Sequence, residues 1–188
     1  RAGHVPPRPD LSSRPIRVAV IGTGFSSAVH IPALAHVDGT EIVAVCSRRQ
    51  ERASRVAAQY NIPTASTDWR DVISDPGVDA VIIATPPYLH HQMAITAIEA
   101  GKHVLSEKPM ARNLAETRDM AKLAASAGVV AMVNHQLRYL PIRRRVKELI
   151  DEGYIGVPHA ASMIVFNGQL ADPEARRFDW LMESEKAG

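Results

Sequence analysis

The sequence predicts an α/β fold with a doubly wound parallel sheet. From Ile16 onward, short β-branched apolar runs alternate with segments of helical spacing, which is the pattern of βαβ units. The run from Val78 to Ala84 is almost continuously apolar, as in strands that helices cover on both faces. Right-handed crossovers between parallel strands then give an open sheet with helices on both sides.

Each predicted element follows from its local pattern. The predicted strands are the apolar runs Ile16–Ile21, Glu41–Cys46, Val78–Ala84, His103–Ser106 and Val129–Asn134. The clearest helix runs from Leu114 to Ser126, and Asn113 and Glu116 have the residue types of a helix-starting cap. Helical spacing places the core positions of this helix at Leu114, Met120, Leu123 and Ala124.

The pattern changes after Asn134, where a second domain is predicted to begin. Leu140 and Pro141 open a helix that ends near Asp151, and the run Ala160–Phe166 predicts a strand. Residues 1–15 are rich in proline and poor in apolar residues, so we expect a disordered leader. The predicted division is this leader, a doubly wound α/β domain over residues 16–136, and the incomplete start of a second domain over residues 137–188.

Composition excludes several classes of function. Of the 188 residues, 46% are hydrophobic and 22% are charged, and the formal net charge is +2, as in an ordinary folded, water-soluble protein. Basic residues are mixed with acidic ones, and the cluster Arg143–Arg145 with Lys147 predicts a solvated helix face, so no nucleic-acid partner is expected. No apolar run approaches the ~20 residues of a membrane span. The single Cys46 excludes an internal disulfide, so we expect a cytoplasmic protein without membrane partners.

The first candidate site is the turn Gly22–Thr23–Gly24–Phe25–Ser26–Ser27, directly after the first predicted strand. Glycines at such a corner permit a tight turn and let a pyrophosphate approach backbone N–H groups at the start of the next helix. The predicted cofactor contacts at this corner are Gly22, Thr23, Gly24, Phe25 and Ser26. Ser27 replaces the usual third glycine, and a plain strand-to-helix turn is the alternative interpretation.

The second candidate site follows the next predicted strand. An NAD-preferring fold usually presents an acid there to the ribose hydroxyls, but this sequence has Ser47, Arg48 and Arg49. A hydroxyl and a guanidinium can bind a 2′-phosphate, so Ser47 and Arg48 are predicted cofactor contacts and NADP is favoured over NAD. The alternative is that the arginines begin a solvated helix, which is the favoured interpretation for Arg49.

The third candidate site lies at the end of the strand Val78–Ala84, where ligands bind in open α/β sheets. The prolines after Thr85 hold a rigid, non-helical corner. Thr85, Pro86 and His90 are the predicted cofactor contacts, with His90 facing the crevice. The alternative for His90 is a hydrogen-bonded surface group at a helix start.

The fourth candidate site is Ser106–Glu107–Lys108–Pro109, again directly after a predicted strand. It places an anion and a cation at the rim of the same crevice, so Glu107 and Lys108 are predicted to contact the cofactor. Lys108 can orient a substrate hydroxyl or, if desolvation lowers its pKa, accept the proton as a hydride leaves the carbon. The alternative is an exposed Glu–Lys pair before a proline turn.

These motifs, in this order, resemble the Gfo/Idh/MocA family of glucose–fructose oxidoreductases and inositol dehydrogenases. The likeness runs from about Ile16 to Trp180 and is carried by Gly22–Phe25 with His30, Thr85–Pro87 with His90, and the stretch Glu99–Pro109. It implies that Lys108 has a catalytic or substrate-positioning role, that Glu107 supports it, and that the Lys108–Pro109 bond is cis. It also implies that residues 16–136 form a Rossmann domain, and that residues 137–188 are the incomplete start of an α/β domain with an open mixed sheet, a truncated substrate and oligomerisation domain.

The predicted function is hydride transfer between a nicotinamide cofactor, NADP or NAD, and a carbinol carbon of a sugar, cyclitol or related polyol. The resemblance further implies a homo-oligomer when the protein is full length, and no metal site is predicted. The acid and histidine of the family's second domain have no counterpart after Trp180, so the chain alone is expected to be inactive. A non-catalytic sensor of dinucleotide or sugar stays open as the alternative, followed by a domain for another nucleotide-like ligand such as S-adenosylmethionine.

Overall fold

The centre of the fold is a six-stranded parallel sheet, in a computed structural model that describes residues 14–164 and 183–187. The strands are β1 (Ile16–Ile21), β2 (Thr40–Cys46), β3 (Thr64–Ser66), β4 (Ala80–Ile83), β5 (His103–Ser106) and β6 (Ala131–Val133). They pair in the order β3-β2-β1-β4-β5-β6, all parallel. This is the Rossmann order, so the predicted fold class is confirmed. Residues 1–13 of the predicted leader lie outside the described residues.

Among the residues that the structure describes, five helices lie between the strands in the chain, and two more come after β6. They are α1 (His30–Leu34), α2 (Gln50–Tyr60), α3 (Trp69–Ser74), α4 (His90–Glu99), α5 (Leu114–Ala127), α6 (Pro141–Asp151) and α7 (Ser184–Ala187). Short 3-10 helices cover Pro87–Leu89 and Gln136–Tyr139. Within these described ranges, no helix combines the length and the apolar character that a membrane crossing requires.

One strand, β3, was absent from the prediction. Its residues Thr64, Ala65 and Ser66 contain no apolar run, and they become a strand by pairing with the end of β2. Strands β1 and β5 have the predicted bounds, whereas β4 and β6 are shorter than predicted. Apolar runs therefore located five strands, including the outer strand β6, whereas the other outer strand, β3, was not marked by such a run.

Helix α5 begins as its sequence predicts. Asn113 Oδ1 accepts a hydrogen bond from the Glu116 amide at 3.0 Å, so the predicted helix cap is confirmed. Met120 and Ala124 are buried, but Leu114 is 61% exposed, so its prediction as a core residue is wrong. Six residues at 100° each place Leu114 about 120° away from Met120 around the helix axis, outside the buried stripe.

The sheet is buried on both faces. Ala19 and Ile21 of β1 belong to one apolar cluster, and Val18 and Val20 belong to the other. Successive residues of a strand point to opposite faces, so each cluster packs under its own layer of helices. This arrangement explains why the inner strands are continuously apolar rather than alternating.

A buried carboxylate ties the amino ends of β1 and β4 together. Asp79 accepts hydrogen bonds from both terminal nitrogens of Arg14, at 2.6 and 2.8 Å, and from the Arg17 amide at 2.8 Å. These bonds lower the pKa of Asp79, with the Arg14 hydrogen bonds as the largest cause. The network stabilises the edge of the sheet opposite the carboxyl ends of the strands.

Residues 135–182 form a separate unit by their contacts. Helix α6 has the predicted bounds and begins at Pro141, and its basic cluster is exposed, with Arg145 and Lys147 paired to acidic residues of the same helix. The strand predicted over Ala160–Phe166 is not seen at residues 160–164, and residues 165–166 lie outside the described residues. An apolar run forms a strand only when a partner strand pairs with it, and the described residues supply none here.

Candidate functional site

The carboxyl ends of all six strands are aligned along the same edge of the sheet. The strand registers align the last residues of the strands in the row Ser66, Cys46, Ile21, Ile83, Ser106 and Val133. Because neighbouring strands are about 4.8 Å apart, the turns that follow β1, β4 and β5 lie side by side. Three of the four predicted sites are therefore immediate neighbours at one edge, and the fourth follows β2 next to them.

The turn after β1 requires glycine at its first position. Gly22 has a φ of +99°, and a Cβ built there would lie 2.4 Å from the carbonyl oxygen of Ala84. The close approach brings the β1 and β4 corners together, and the Gly22 amide donates to the Cys46 carbonyl at 2.9 Å. Gly22 is thus held by the backbones of both neighbouring strands.

The same turn presents unpaired hydrogen-bond donors. In the part of the chain that the structure describes, the amides of Thr23 through Ser27 donate to no acceptor. The Thr23 hydroxyl is also buried without a partner. Buried polar groups are normally paired, so a run of free donors is the arrangement that binds an anion such as a pyrophosphate. Helix α1 begins only at His30, so these turn amides, rather than a long helix, supply the donors.

Two predicted contacts in this turn are placed differently. The Phe25 ring is 45% exposed and packs edge-on against His30, with ring centroids 5.4 Å apart. The Ser26 side chain is fully buried, and its hydroxyl lies 3.1 Å from His30 Nδ1. Ser26 can therefore offer a ligand its amide but not its hydroxyl.

The turn after β2 carries Ser47 and the exposed side chain of Arg48. A second arginine, Arg52, reaches across from α2 and donates to the Thr23 carbonyl at 3.3 Å. Arg52 thus places a guanidinium beside the β1 turn, a contact that no sequence pattern predicts. Burial, with smaller effects from Asp68 and Asp71, raises the pKa of the Cys46 thiol to about 11, so this cysteine is not a thiolate nucleophile at neutral pH.

The turn after β4 is fixed by His90. Its ring is fully buried, with Nε2 lying 2.7 Å from the Thr85 carbonyl oxygen and Nδ1 2.9 Å from the Pro109 carbonyl oxygen. Both ring nitrogens therefore face backbone carbonyls instead of the crevice. His90 links the β4 turn to the β5 turn, while Thr85 and Pro86 are partly exposed at the corner.

The turn after β5 separates the two charges that the sequence placed together. The Glu107 carboxylate is buried, whereas the Lys108 side chain is exposed. Glu107 Oε1 accepts from Asn134 Nδ2 at 2.6 Å and lies 3.0 Å from His30 Nε2, and Oε2 accepts from the Lys108 amide at 3.1 Å. The Lys108–Pro109 bond is cis, as expected. Lys108 is therefore held by its backbone, and its ammonium has no ion-pair partner among the described residues.

His30 Nε2 lies 3.0 Å from Glu107 Oε1 and 3.1 Å from Asn134 Nδ2, and the buried carboxylate favours the tautomer with the proton on Nε2, in which Asn134 donates to Glu107 instead of to the ring. Burial lowers the pKa of His30, opposed by the charge and hydrogen bond of Glu107, so the ring is neutral near pH 7. A proton on Nε2 lets the ring donate to Glu107 while Nδ1 accepts from the Ser26 hydroxyl. The opposite tautomer would direct a lone pair at a carboxylate.

Within the described ranges, no cluster of His, Cys, Asp or Glu side chains is arranged to hold a metal ion. The site instead combines a glycine turn with free amides, basic side chains on the β2 side, and a lysine on the β5 side. Crevices at the carboxyl ends of Rossmann strands bind dinucleotides in this way. Fold and site together define a dinucleotide-binding domain.

A family comparison agrees with this class. The profile of the oxidoreductase family with an NAD-binding Rossmann fold, Gfo/Idh/MocA, matches residues 16–135. The chain belongs to this family, so the resemblance drawn from its motifs is confirmed. The predicted nicotinamide dinucleotide is confirmed as the cofactor class of the family.

The relatives and solved structures similar to this chain include proteins that use NAD and proteins that bind NADP. The chain is 36% identical to a 1,5-anhydro-D-fructose reductase of Ensifer adhaerens, over 92% of this chain and 50% of the relative. It is 37% identical to an NAD-dependent scyllo-inositol 2-dehydrogenase of Bacillus subtilis, over 90% of this chain and 48% of the relative. The crystal structure of the 3-ketoreductase KijD10 from Actinomadura kijaniata with NADP matches with a TM-score of 0.70 and 33% identity, over 76% of this chain and 46% of that one. The chain spans about half the length of the curated relatives that it matches.

Three residues of the site were not nominated from sequence. His30 and Asn134 are 104 residues apart in the chain, and both contact Glu107. The position of Asn134 directly after β6 is the signal that could have pointed to it, since the carboxyl ends of parallel strands meet at one edge. Arg52 has no such signal, because its direction depends on how α2 packs against β2 and β3.

Proposed function

We propose that this chain is the dinucleotide-binding part of an NADP-preferring dehydrogenase or reductase that acts on a carbinol carbon of a sugar, cyclitol or related polyol. The observation that carries the proposal is the line of adjacent turns at one sheet edge, with free amides after β1 and an exposed, unpaired lysine after β5. The relatives named above, a sugar reductase and a cyclitol dehydrogenase, support the substrate class.

The turn after β1 is proposed to bind the pyrophosphate. The amides of Thr23, Gly24, Phe25 and Ser26 and the Thr23 hydroxyl are donors without acceptors in the described chain. Gly24 is exposed, and a Cβ built on it meets nothing closer than Arg52 at 3.9 Å. The absence of a side chain at Gly24 leaves its amide open to a phosphate.

The turn after β2 is proposed to select NADP. Ser47 and Arg48 occupy the place where an acid would bind the ribose hydroxyls of NAD, and Arg52 adds a second guanidinium nearby. Two positive charges, with no acid among the residues directly after β2 (Ser47, Arg48 and Arg49), favour the doubly charged 2′-phosphate. We assign Ser47 and Arg48 to the phosphate itself and Arg52 to the junction with the β1 turn.

The turns after β4 and β5 are proposed to border the reacting centre. Thr85 and Pro86 form the wall, His90 holds this wall to the β5 turn, and Glu107 holds the backbone of Lys108. The bound nicotinamide supplies the hydride chemistry. Lys108 binds the substrate hydroxyl and takes its proton during oxidation or returns it during reduction. Residues 137–188 then begin the domain that supplies the remaining substrate contacts.

Calorimetric titration with NADPH and NADH tests the cofactor assignment. NADPH is expected to bind more tightly, and Arg48→Ala is expected to weaken NADPH binding about ten- to a hundredfold without changing NADH binding, because a charge-assisted phosphate contact is lost. Arg118→Ala, an exposed arginine of α5, is the matched control and should change neither affinity. Tighter binding of NADH, together with unchanged NADPH binding by Arg48→Ala, would overturn the assignment.

Reduction of NADP with a panel of cyclitols and sugars tests the reaction. The proposed enzyme is supported if the wild type reduces NADP with a member of the panel and Lys108→Met does not. Tight NADPH binding without turnover of any member of the panel, in a protein that carries its complete second domain, favours the sensing alternative instead.

A further inference from the structure

The buried carboxylate of Glu107 is held from three directions. His30 comes from the start of α1, Asn134 from the turn after β6, and the Lys108 amide from the next residue in the chain. Both carboxylate oxygens therefore have donors, and Ser26 holds the far side of the His30 ring at 3.1 Å. A buried charge with this many donors is fixed in one orientation.

This orientation keeps Glu107 away from the ammonium of its neighbour Lys108. An ion pair between the two would turn the ammonium toward the protein and oppose the loss of its proton. Glu107 instead accepts a hydrogen bond from the Lys108 amide, while the Lys108 side chain is exposed. Because these donors already hold the Glu107 carboxylate, it forms no ion pair with the Lys108 ammonium.

We propose that His30 is a positioning residue for Lys108: its Nε2–H, with the Asn134 amide, holds the Glu107 carboxylate so that it fixes the Lys108 peptide and leaves the Lys108 ammonium unpaired. The catalytic role of Lys108 in this inference rests on the proposed function. The hydrogen bonds around Glu107 do not, because they involve no ligand. Among the described residues, Glu107 is the charged group that raises the pKa of His30, and the larger effect of burial lowers it. The remaining neighbours of the ring are Ser26, Asn134 and the Phe25 ring.

Amide hydrogen exchange at Lys108, measured by NMR without any dinucleotide, tests the proposal. His30→Leu removes the donor to Glu107 and keeps an apolar side chain of similar size at a buried position. The Lys108 amide is then expected to exchange at least about tenfold faster, because its hydrogen bond to the released carboxylate is lost. Amides of β1 and β4 should keep their exchange rates.

A conservative variant separates positioning from general stability. His30→Gln places a side-chain amide donor near the position of Nε2, so it should return the Lys108 exchange rate to within about threefold of the wild type. His36→Leu is the matched control, because His36 is exposed just beyond α1 and should leave Lys108 unchanged. If His30→Leu does not fold, Asn134→Ala removes the other donor and carries the same expectation.

Two results would overturn the proposal. One is an unchanged Lys108 exchange rate in a folded His30→Leu or Asn134→Ala variant. The other is equal acceleration of Lys108 and of the β1 and β4 amides in both His30→Leu and His30→Gln, which means that the histidine only stabilises the fold. Failure of NADPH to bind the wild type, with local acceleration at Lys108 in the variants, refutes the proposed function and leaves the positioning geometry intact.

Discussion

Replacing Gly22 by alanine puts a methyl group where the structure has no room for one. The new Cβ would lie 2.4 Å from the Ala84 carbonyl oxygen and 2.7 Å from the Ala84 carbonyl carbon, which are backbone atoms and cannot rotate away. The φ of +99° at Gly22 is also a backbone conformation that residues other than glycine rarely adopt. The β1 and β4 turns must therefore separate, or the turn after β1 must change its backbone.

The expected cost is large for a domain of this size. Backbone strain at a positive φ costs about 1–3 kcal/mol, and forcing a methyl group into a packed backbone contact costs about 1–3 kcal/mol more. We expect Gly22→Ala to lower the free energy of unfolding by about 3 kcal/mol or more. At about 2–4 °C per kcal/mol, the melting temperature should fall by about 6–12 °C.

Gly24→Ala is the matched control, because its Cβ would meet only the tip of the Arg52 side chain at 3.9 Å. We expect its free energy of unfolding to stay within about 1 kcal/mol of the wild type. Its NADPH affinity should nevertheless fall, since the methyl group covers the turn amides. Urea unfolding followed by circular dichroism gives the stabilities, and calorimetric titration gives the affinities. A Gly22→Ala protein as stable as Gly24→Ala would refute the argument from close approach.

Two further predictions concern stability away from the crevice. Asp79→Asn should lower the free energy of unfolding by about 1–2 kcal/mol. The pKa of Asp79 is lowered in the folded protein, so this contribution is present above the ordinary value of 3.8 and disappears as pH falls through the lowered pKa. Urea unfolding across this pH range should show the difference closing toward acid, with the exposed Asp38→Asn as control, and a pH-independent difference would contradict the ionic explanation. Asn113→Ala should lower stability by about 1 kcal/mol in thermal unfolding, whereas Asn113→Asp should not, because only alanine loses the acceptor for the Glu116 amide; equal effects of the two would contradict the cap.

Local sequence signals located most of the fold. Apolar runs marked β1, β2, β4, β5 and β6, and the run at β4 is almost continuous because both faces of that strand are buried. Asn113 marked the start of α5 because the first amides of a helix need an acceptor outside the helix. The strand Thr64–Ser66 was missed because its side chains carry no apolar pattern, and it is recognised as a strand through its pairing with β2.

The predicted site shows the same division. Glycines and charged residues directly after apolar runs were enough to nominate the four turns, because strand order brings the carboxyl ends of parallel strands to one edge. The sequence also placed Glu107 beside Lys108 and presented them as a pair of charges. In the folded chain, Glu107 turns inward to His30 and Asn134, and Lys108 turns outward.

The sequence by itself determined the doubly wound sheet, the glycine turn and the family, because each depends on residues that are close together in the chain. The tertiary structure decided which donors surround Glu107, that Arg52 reaches the β1 turn, and that Leu114 faces outward. The physical reason is that the two donors to Glu107, His30 and Asn134, are 104 residues apart in the chain and meet only through the register of the parallel strands and the packing of helices on them. No local pattern encodes that register, so it becomes visible only when the sheet is assembled.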